Sequence, residues 1–318
     1  MAAPSSQTGR TFTRYVAPFA PLALALAMST TPPSPAAPST TEAPSGIVAA
    51  KCDEVSDFQD CHSQFPTGCS AAGQYDAYLN FWKNKLIAPA TSSNPVKYFT
   101  QLKDYQSLDA NIPAGLTQAN QGDFQNQLTQ MGEGQLYGVI GYLYYFQHTG
   151  AESSNCDLTG PADDPEFGNV DYHIGIGFDP PPTQQTPESE AAGVSTAARK
   201  SSAKKPRTSG SAASSLQQHS IIVEMTPHDR FQYENGIWTL ENLQKAVGRQ
   251  VRVVGQLIID NEHNLPSQNC ATATTASQRQ TCWRASVWEL HPVVTFQVCP
   301  NDSCTQDSAD WVELDRLP

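Results

Sequence analysis

The chain has 318 residues, and 19 Lys and Arg against 31 Asp and Glu give a formal net charge of −12. Charged residues make up 16% and hydrophobic residues 39%, which excludes a coiled coil and indicates sizeable segments that build no core. Past the N-terminus no apolar run approaches the roughly 20 residues that a membrane helix needs, so we expect no membrane span after signal removal.

The N-terminus has the pattern of an export signal followed by a tether. Residues 1–29 combine a positive stretch, which contains Arg10 and Arg14, with the short apolar segment 16–28. An anchored N-terminal helix is the alternative. Residues 30–51 are rich in Pro, Ser and Thr, a composition that does not build a core. The sequence therefore predicts a secreted or periplasmic protein.

Eight cysteines support this localisation, because an even number in an exported chain is typical of disulfides. No Cys-x-x-Cys pair occurs, so neither a zinc ribbon nor a thioredoxin-type centre is indicated. Two local pairs each close a loop rich in turn residues, and these are Cys270–Cys282 and Cys299–Cys304. Two further disulfides, or some free thiols, are then expected among Cys52, Cys61, Cys69 and Cys156.

Residues 52–131 are predicted to form a small helical region tied by cysteines. Apolar side chains recur there at helical spacing in three stripes. The stripes are Tyr75, Tyr78, Leu79, Trp82 and Leu86, then Phe99, Leu102, Tyr105 and Leu108, then Phe124, Leu128 and Met131. Stripes of this kind are more often core surfaces than cofactor sites, so we expect them to pack against the C-terminal part of the chain.

From residue 132 to residue 318 the hydrophobic period changes to two, which is typical of strands. The expected strands cover 136–146, 170–178, 221–225, 251–259 and 283–298, and the pattern reverses at Val287, which predicts a bulge there. One helix is expected between the third and fourth strands, with Thr239 as its N-cap, Leu240, Leu243 and Val247 facing inward, and Gly248 at its end. This order predicts an α+β fold with an OB-like five-stranded β-barrel, and a generic sheet with one covering helix is the alternative.

The barrel is interrupted by a predicted disordered insertion at residues 179–219, which lack apolar periodicity. The insertion contains a basic tract between Arg199 and Arg207. This tract could bind a polyanion such as nucleic acid or an anionic envelope polymer, and a solvated loop is the alternative.

Five segments of the barrel region occur in a specific order: AESSNCDLTG, VDYHIGIGFD, IIVEMTPHDR, VRVVGQLIIDNEH and CWRASVWELHPV. Their run resembles a group of exported bacterial proteins of uncharacterised function, over residues 135–299 apart from the insertion. The resemblance implies an OB-like barrel and no known activity. A weaker likeness is to thermonuclease-type OB barrels, which combine arginines, a glutamate and calcium-binding aspartates. Arg252 and Arg284 are the arginines available for such a set.

The polar residues of the strands are the candidate functional residues. Asp-x-His and Glu-x-His pairs lie opposite the apolar faces of two strands, and further acidic and histidine residues fall on or after two more. The candidate metal ligands are Asp171, His173, Glu224, Asp260, His263, Glu289 and His291. Imidazole and carboxylate groups suit a divalent metal such as zinc, manganese or calcium, and they also suit acid–base work. A structural polar network and scattered surface residues are the alternatives; if the faces converge, His173 and His291 become neighbours.

The charge of the barrel bears on its partners. Residues 132–178 and 220–318 contain 19 acidic and seven basic side chains, which disfavours nucleic acid and favours a protein or glycan ligand. Arg252, Arg284 and Trp288 are candidate ligand-binding residues. No G-x-S-x-G, H-E-x-x-H or P-loop motif is present. We therefore expect a non-enzymatic binding or scaffold protein, with a divalent-metal-dependent hydrolase acting on phosphodiesters as the alternative.

Overall fold

The computed structural model describes residues 52, 55, 58–69, 77–85, 87, 90, 95–159, 168–181, 215–233 and 238–318. In these ranges the strands are β1 (Lys97–Phe99), β2 (Leu136–His148), β3 (Tyr172–Gly177), β4 (Ile221–Met225), β5 (Gln250–Ile259), β6 (Trp288–Val298) and β7 (Val312–Glu313). The α-helices are α1 (Phe58–Gln64), α2 (Ala77–Lys83), α3 (Leu102–Asp109), α4 (Gln125–Met131), α5 (Ser215–Gln218), α6 (Pro227–Tyr233), α7 (Leu240–Ala246) and α8 (Ala276–Thr281). Short 3-10 helices cover Gln118–Phe124, Ser153–Asn155, Asn261–His263 and Leu314–Arg316. The predicted export signal, the tether and the basic tract lie outside the described residues.

Five of these strands close into a barrel. Their order around it is β2, β3, β4, β6 and β5, and β5 pairs with β2 to complete the ring. Neighbouring strands are antiparallel except β4 and β6, which run parallel at Val223 and Leu290. β1 extends the sheet beside β2, and β7 extends it beside β6. The predicted α+β fold with an OB-like barrel is therefore confirmed.

The barrel interior is filled by the apolar side chains that the period of two predicted. In β3 the fully buried residues Tyr172, Ile174 and Ile176 belong to one continuous core, which also includes side chains from the other barrel strands. Each large apolar side chain of this kind contributes about 1.5–3 kcal/mol when it leaves water. Because successive side chains on a strand point to opposite faces, the residues between them lie on the outside of the barrel.

The connection between β4 and β5 holds two helices, α6 and α7, of which α7 was predicted. The hydroxyl of Thr239 accepts a hydrogen bond from the Asn242 amide at 3.2 Å and so caps α7 as expected. Gly248 follows the helix with a φ of +81°, a left-handed conformation that favours glycine. Leu243 is buried, but Val247 is 38% exposed, so the expectation that Val247 faces the core is wrong. Val247 has already left the helix and turns the chain toward β5.

The last barrel strand begins later than predicted. β6 begins at Trp288, and the preceding residues from Trp283 run as irregular chain, in which Arg284 makes an isolated bridge to Asn269. The reversal of the apolar pattern at Val287 therefore reflects this irregular segment and not a bulge. In this segment the Arg284 side chain lies between the buried carboxylates of Asp260 and Glu289.

Two further predictions were wrong at the level of single elements. Phe99 lies in β1 and not in the helix that its spacing predicted, because α3 begins only at Leu102. The predicted insertion 179–219 ends in the short helix α5, which spans Ser215–Gln218. None of the described helices is both long and apolar enough to cross a membrane.

The helical region before the barrel is held by disulfides and packs on its outer face. Leu79 and Trp82 of α2 contact Ile258 of β5. All eight cysteines are paired, and the two predicted local pairs are confirmed. The disulfides are Cys52–Cys69, Cys61–Cys156, Cys270–Cys282 and Cys299–Cys304.

Candidate functional site

Five of the predicted polar residues meet on the outer face of β3, β4 and β6. We call them the polar cluster: Asp171, His173, Glu224, Glu289 and His291. His173 in β3 pairs with Glu224 in β4, while Glu289 and His291 follow one another on the same face of β6. Four of the five have no exposed surface, and His173 is only 9% exposed. The alternative of scattered surface residues is therefore wrong.

Glu224 stands at the centre of the polar cluster. Its Oε1 lies 2.7 Å from Nε2 of His173, and its Oε2 lies 3.1 Å from Nδ1 of His291. His291 has two further neighbours: Glu289 Oε1 lies 3.1 Å from its Nδ1, and Asp171 Oδ2 lies 3.6 Å from its Nε2. One carboxylate thus connects two imidazoles across three strands.

Arg284 joins the polar cluster to Asp260. The guanidinium is fully buried, with Nη1 2.8 Å from Asp260 Oδ2 and Nη2 2.6 Å from Glu289 Oε2. Asp260 also lies 3.7 Å from Nε2 of His263, whose side chain is a quarter exposed. The interpretation of Arg284 as a ligand-binding residue is therefore wrong, because its charge faces two internal carboxylates.

α2 and the loop after β2 cover the polar cluster. Nζ of Lys83 lies 3.2 Å from Glu152 Oε2, and the other oxygen of Glu152 lies 3.8 Å from Nε2 of His173. Asn155 donates a hydrogen bond to Asp171 Oδ1 at 2.8 Å. None of these three covering residues was among those predicted from the sequence. Lysine, glutamate and asparagine are common at exposed positions, so no local pattern in the sequence indicates that these three belong to a site.

The charges of the polar cluster depend on burial and on one another. Burial alone would lower the pKa of His291, but Glu224 raises it to about 10, and Glu224 raises the pKa of His173 in the same way. The two imidazoles hold the pKa of Glu224 well below its ordinary value despite its burial. Burial, reinforced by Glu152, raises the pKa of Asp171 to about 7. Shifts of this kind occur in structural ion networks and in functional sites alike.

Four sets of side chains within the described ranges have one ligand atom of each member within 4.8 Å of the others. One consists of Cys52, Cys69 and Cys156, which are bound in disulfides, so three sets could hold a metal ion. The first two of these three share Glu224; the first is fully buried and the second is partly buried, whereas the third follows β5 and includes the exposed Glu262. The sets are Asp171, Glu224 and His291, then Glu152, His173 and Glu224, then Asp260, Glu262 and His263. All three combine nitrogen and oxygen donors, which suit zinc or manganese.

The two remaining predicted binding residues, Arg252 and Trp288, contact other side chains of the protein. Nε of Arg252 donates to Gln297 Oε1 at 2.7 Å, and Nη1 donates to the Gln306 carbonyl at 2.6 Å. The same guanidinium lies 4.9 Å from the ring centre of Trp311. Trp288 is fully buried in the barrel core, so the expectation that it contacts a ligand is wrong.

An open groove of about 330 Å³ lies beside the Cys299–Cys304 loop, away from the residues of the polar cluster. None of its ten lining residues is charged. Tyr142 and Phe178 contribute half-buried aromatic rings, and Gln250 and Gln306 contribute amides. The groove is thus a neutral surface on a strongly acidic protein.

Glu133 is a buried carboxyl outside the polar cluster that titrates near neutral pH. The Tyr78 hydroxyl donates to its Oε2 at 2.5 Å, and the Ile259 amide donates to its Oε1 at 3.4 Å. Burial nevertheless raises the pKa of Glu133 from 4.5 to about 7. The folded chain therefore holds this proton more tightly than the unfolded chain does. The resulting stability is present below the unfolded pKa and is lost as the pH rises through 7.

From about pH 5 to about pH 8, the ionisation of Glu133 should lower the unfolding free energy of wild type. Glu133→Gln cannot ionise at this position, so its unfolding free energy should increase by about 2–3 kcal/mol relative to that of wild type over the same range. Urea unfolding of both proteins at the two pH values measures this difference. Asp123→Asn, at an exposed position, is the control and should show no such change. A difference between Glu133→Gln and wild type that stays constant with pH would contradict the assignment.

The chain matches no protein-family model, no curated protein and no solved structure. A barrel by itself does not define an activity, because one fold hosts many unrelated functions. The polar cluster and the groove are therefore the features of this chain that bear on its function.

Proposed function

We propose that the protein is an exported binding or scaffold protein built on its OB-like barrel, and that it acts without catalysis. One observation carries this proposal: the polar cluster is sealed, since Asp171, Glu224, Glu289 and His291 have no exposed surface. A catalytic acid or base must come within hydrogen-bond reach of its substrate. Side chains covered by α2 and the loop after β2 do not meet a substrate in this arrangement.

Export is supported by the cysteines. All eight form disulfides, and disulfides form and persist in oxidising compartments such as the periplasm or the extracellular medium. The predicted signal at residues 1–29 and the resemblance to exported bacterial proteins agree with this location. Cross-links also suit a protein that must remain folded outside the cell.

The uncharged lining of the groove favours an uncharged ligand, and we assign the groove to the binding of a glycan or a neutral protein segment. Its volume of about 330 Å³ falls in the range of small-molecule sites. The rings of Tyr142 and Phe178 offer apolar faces, while Gln250 and Gln306 offer amides that can form hydrogen bonds. Nucleic acid is disfavoured, because phosphates are bound by Lys and Arg and the groove lining contains neither.

A binding and turnover panel tests the proposal. Purified full-length protein is titrated by calorimetry with neutral oligosaccharides, uncharged peptides and single-stranded DNA, and the same samples are assayed for hydrolysis with added Mn²⁺ or Zn²⁺. We expect a neutral ligand to bind, at least about tenfold more weakly to Tyr142→Ala, because the ring supplies much of the apolar contact. Tyr98→Ala, at another half-buried tyrosine outside the groove lining, is the control. If Tyr142→Ala bound the ligand as tightly as wild type, the assignment of the ligand to the groove would be wrong.

A divalent-metal-dependent hydrolase is the second candidate. The observation that favours it is the convergence of His173, Glu224 and His291, which provides metal ligands and acid–base groups in one place. This activity requires α2 to move away from the polar cluster. Metal-dependent turnover of a phosphodiester that Glu224→Gln abolishes would establish the hydrolase and overturn the binding proposal.

A further inference from the structure

We propose that Asp171, Glu224 and His291 bind a divalent transition-metal ion such as Zn²⁺ or Mn²⁺ on the covered face of the barrel. One potential ligand atom of each residue lies within 4.8 Å of the other two. Glu224 and His291 lie in β4 and β6, and Asp171 immediately precedes β3; these three strands are neighbours in the barrel. Two of the three residues therefore stand on paired strands, and the third is next to one. It does not depend on the ligand of the groove.

Two of the candidate ligand atoms lack the hydrogen bonds that buried polar atoms nearly always have. No hydrogen bond reaches Asp171 Oδ2 or His291 Nε2, whereas the two oxygens of Glu224 face His173 and His291. Asp171 Oδ2 and His291 Nε2 lie 3.6 Å apart. An ion at the usual coordination distance of about 2.1 Å from both atoms would see them at an angle of about 120°, within reach of tetrahedral geometry.

The surrounding residues orient these atoms as the outer shell of a metal site does. Nδ1 of His291 lies 3.1 Å from Glu289 Oε1 and 3.1 Å from Glu224 Oε2, while Nε2 faces Asp171 Oδ2. Asn155 donates to Asp171 Oδ1 at 2.8 Å and leaves Oδ2 directed at the imidazole. A histidine held by a carboxylate on one nitrogen while the other faces the ion is the arrangement found around zinc.

The donor set selects the kind of ion. One imidazole nitrogen and two carboxylates suit Zn²⁺ or Mn²⁺, whereas Ca²⁺ and Mg²⁺ prefer shells made of oxygen alone.

The test uses untagged full-length protein. Samples purified without chelator are analysed by elemental analysis, then dialysed against EDTA, and the melting temperature is followed while Zn²⁺, Mn²⁺ or Ca²⁺ is added back. We expect about one Zn²⁺ or Mn²⁺ per chain and a rise in melting temperature of about 5 °C or more on re-addition, because an ion that binds only the folded state stabilises it. Ca²⁺ should give a smaller rise at the same concentration.

Two variants test whether the ion binds at Asp171. Asp171→Asn should lose most of the rise in melting temperature, and it should also lose the visible absorption that Co²⁺ gives in the EDTA-treated wild type. Glu262→Gln, in the exposed part of the third ligand set, is the matched control and should behave as wild type. Two results would overturn the proposal: no metal-dependent shift in wild type, or an equal shift in Asp171→Asn. The second would assign the ion to another site.

Discussion

Replacing Arg284 with methionine should lower the free energy of unfolding by about 3–5 kcal/mol, because two buried carboxylates would lose their cation. The guanidinium is fully buried between Asp260 and Glu289, at 2.8 Å and 2.6 Å. Burial opposes its charge, but Glu289 and Asp260 raise the pKa of Arg284, so it remains protonated. Methionine has a similar length and no charge. Urea unfolding at neutral pH measures the loss.

Two comparisons give this prediction its specificity. Arg279→Met removes an exposed arginine of α8, which donates to the Thr274 carbonyl at 2.7 Å, and should change stability by about 0.5 kcal/mol or less. Adding Asp260→Asn and Glu289→Gln to Arg284→Met should recover part of the loss, since no uncompensated charge then remains. A loss under about 1 kcal/mol for Arg284→Met alone would show that the two carboxylates do not need this cation.

Removing the Cys61–Cys156 disulfide through the double replacement Cys61→Ser/Cys156→Ser should lower the unfolding free energy by about 4–5 kcal/mol. The two cysteines are 95 residues apart, and a cross-link restricts the unfolded chain more when its loop is longer. This bond also ties α1 to the loop that covers the polar cluster. Equilibrium unfolding without reductant measures the effect.

The Cys299–Cys304 disulfide supplies the control. Its cysteines are only five residues apart, so the corresponding double serine variant should lose about 2 kcal/mol. We also expect faster amide hydrogen exchange at Asn155 in the Cys61→Ser/Cys156→Ser variant, because the covering loop would open more often. Equal losses in the two variants would show that loop length does not set the contribution of the longer cross-link.

Both predictions concern one arrangement, in which a charged barrel face is covered by α2 and the loop after β2. Buried charges are destabilising unless each has a partner, and the cover provides partners through Lys83 and Glu152. A shifted position of α2 would separate Lys83 from Glu152 and leave buried charges without a partner. We therefore expect the polar cluster to select one docking position for α2, whether or not an ion is bound there.

The sequence by itself determined the barrel, because the signals for its strands and turns are local. The alternation of apolar and other residues along β3 places Ile174 and Ile176 on its inner face, and this pattern depends only on neighbouring residues. Thr239 caps α7 through a hydrogen bond to a residue three positions away. The two local disulfides were predictable for the same reason, since short separations leave few partners.

The tertiary structure decided what the polar residues face. Alternation predicted that Asp171, Glu224 and His291 avoid the barrel core, but an outer face is exposed or buried only according to what packs on it. α2 and the loop after β2 cover this one, and they supply Lys83 and Glu152 from positions far away in the chain. Such contacts leave no periodic trace, because a single lysine or glutamate has the same local sequence whether it meets water or a buried imidazole.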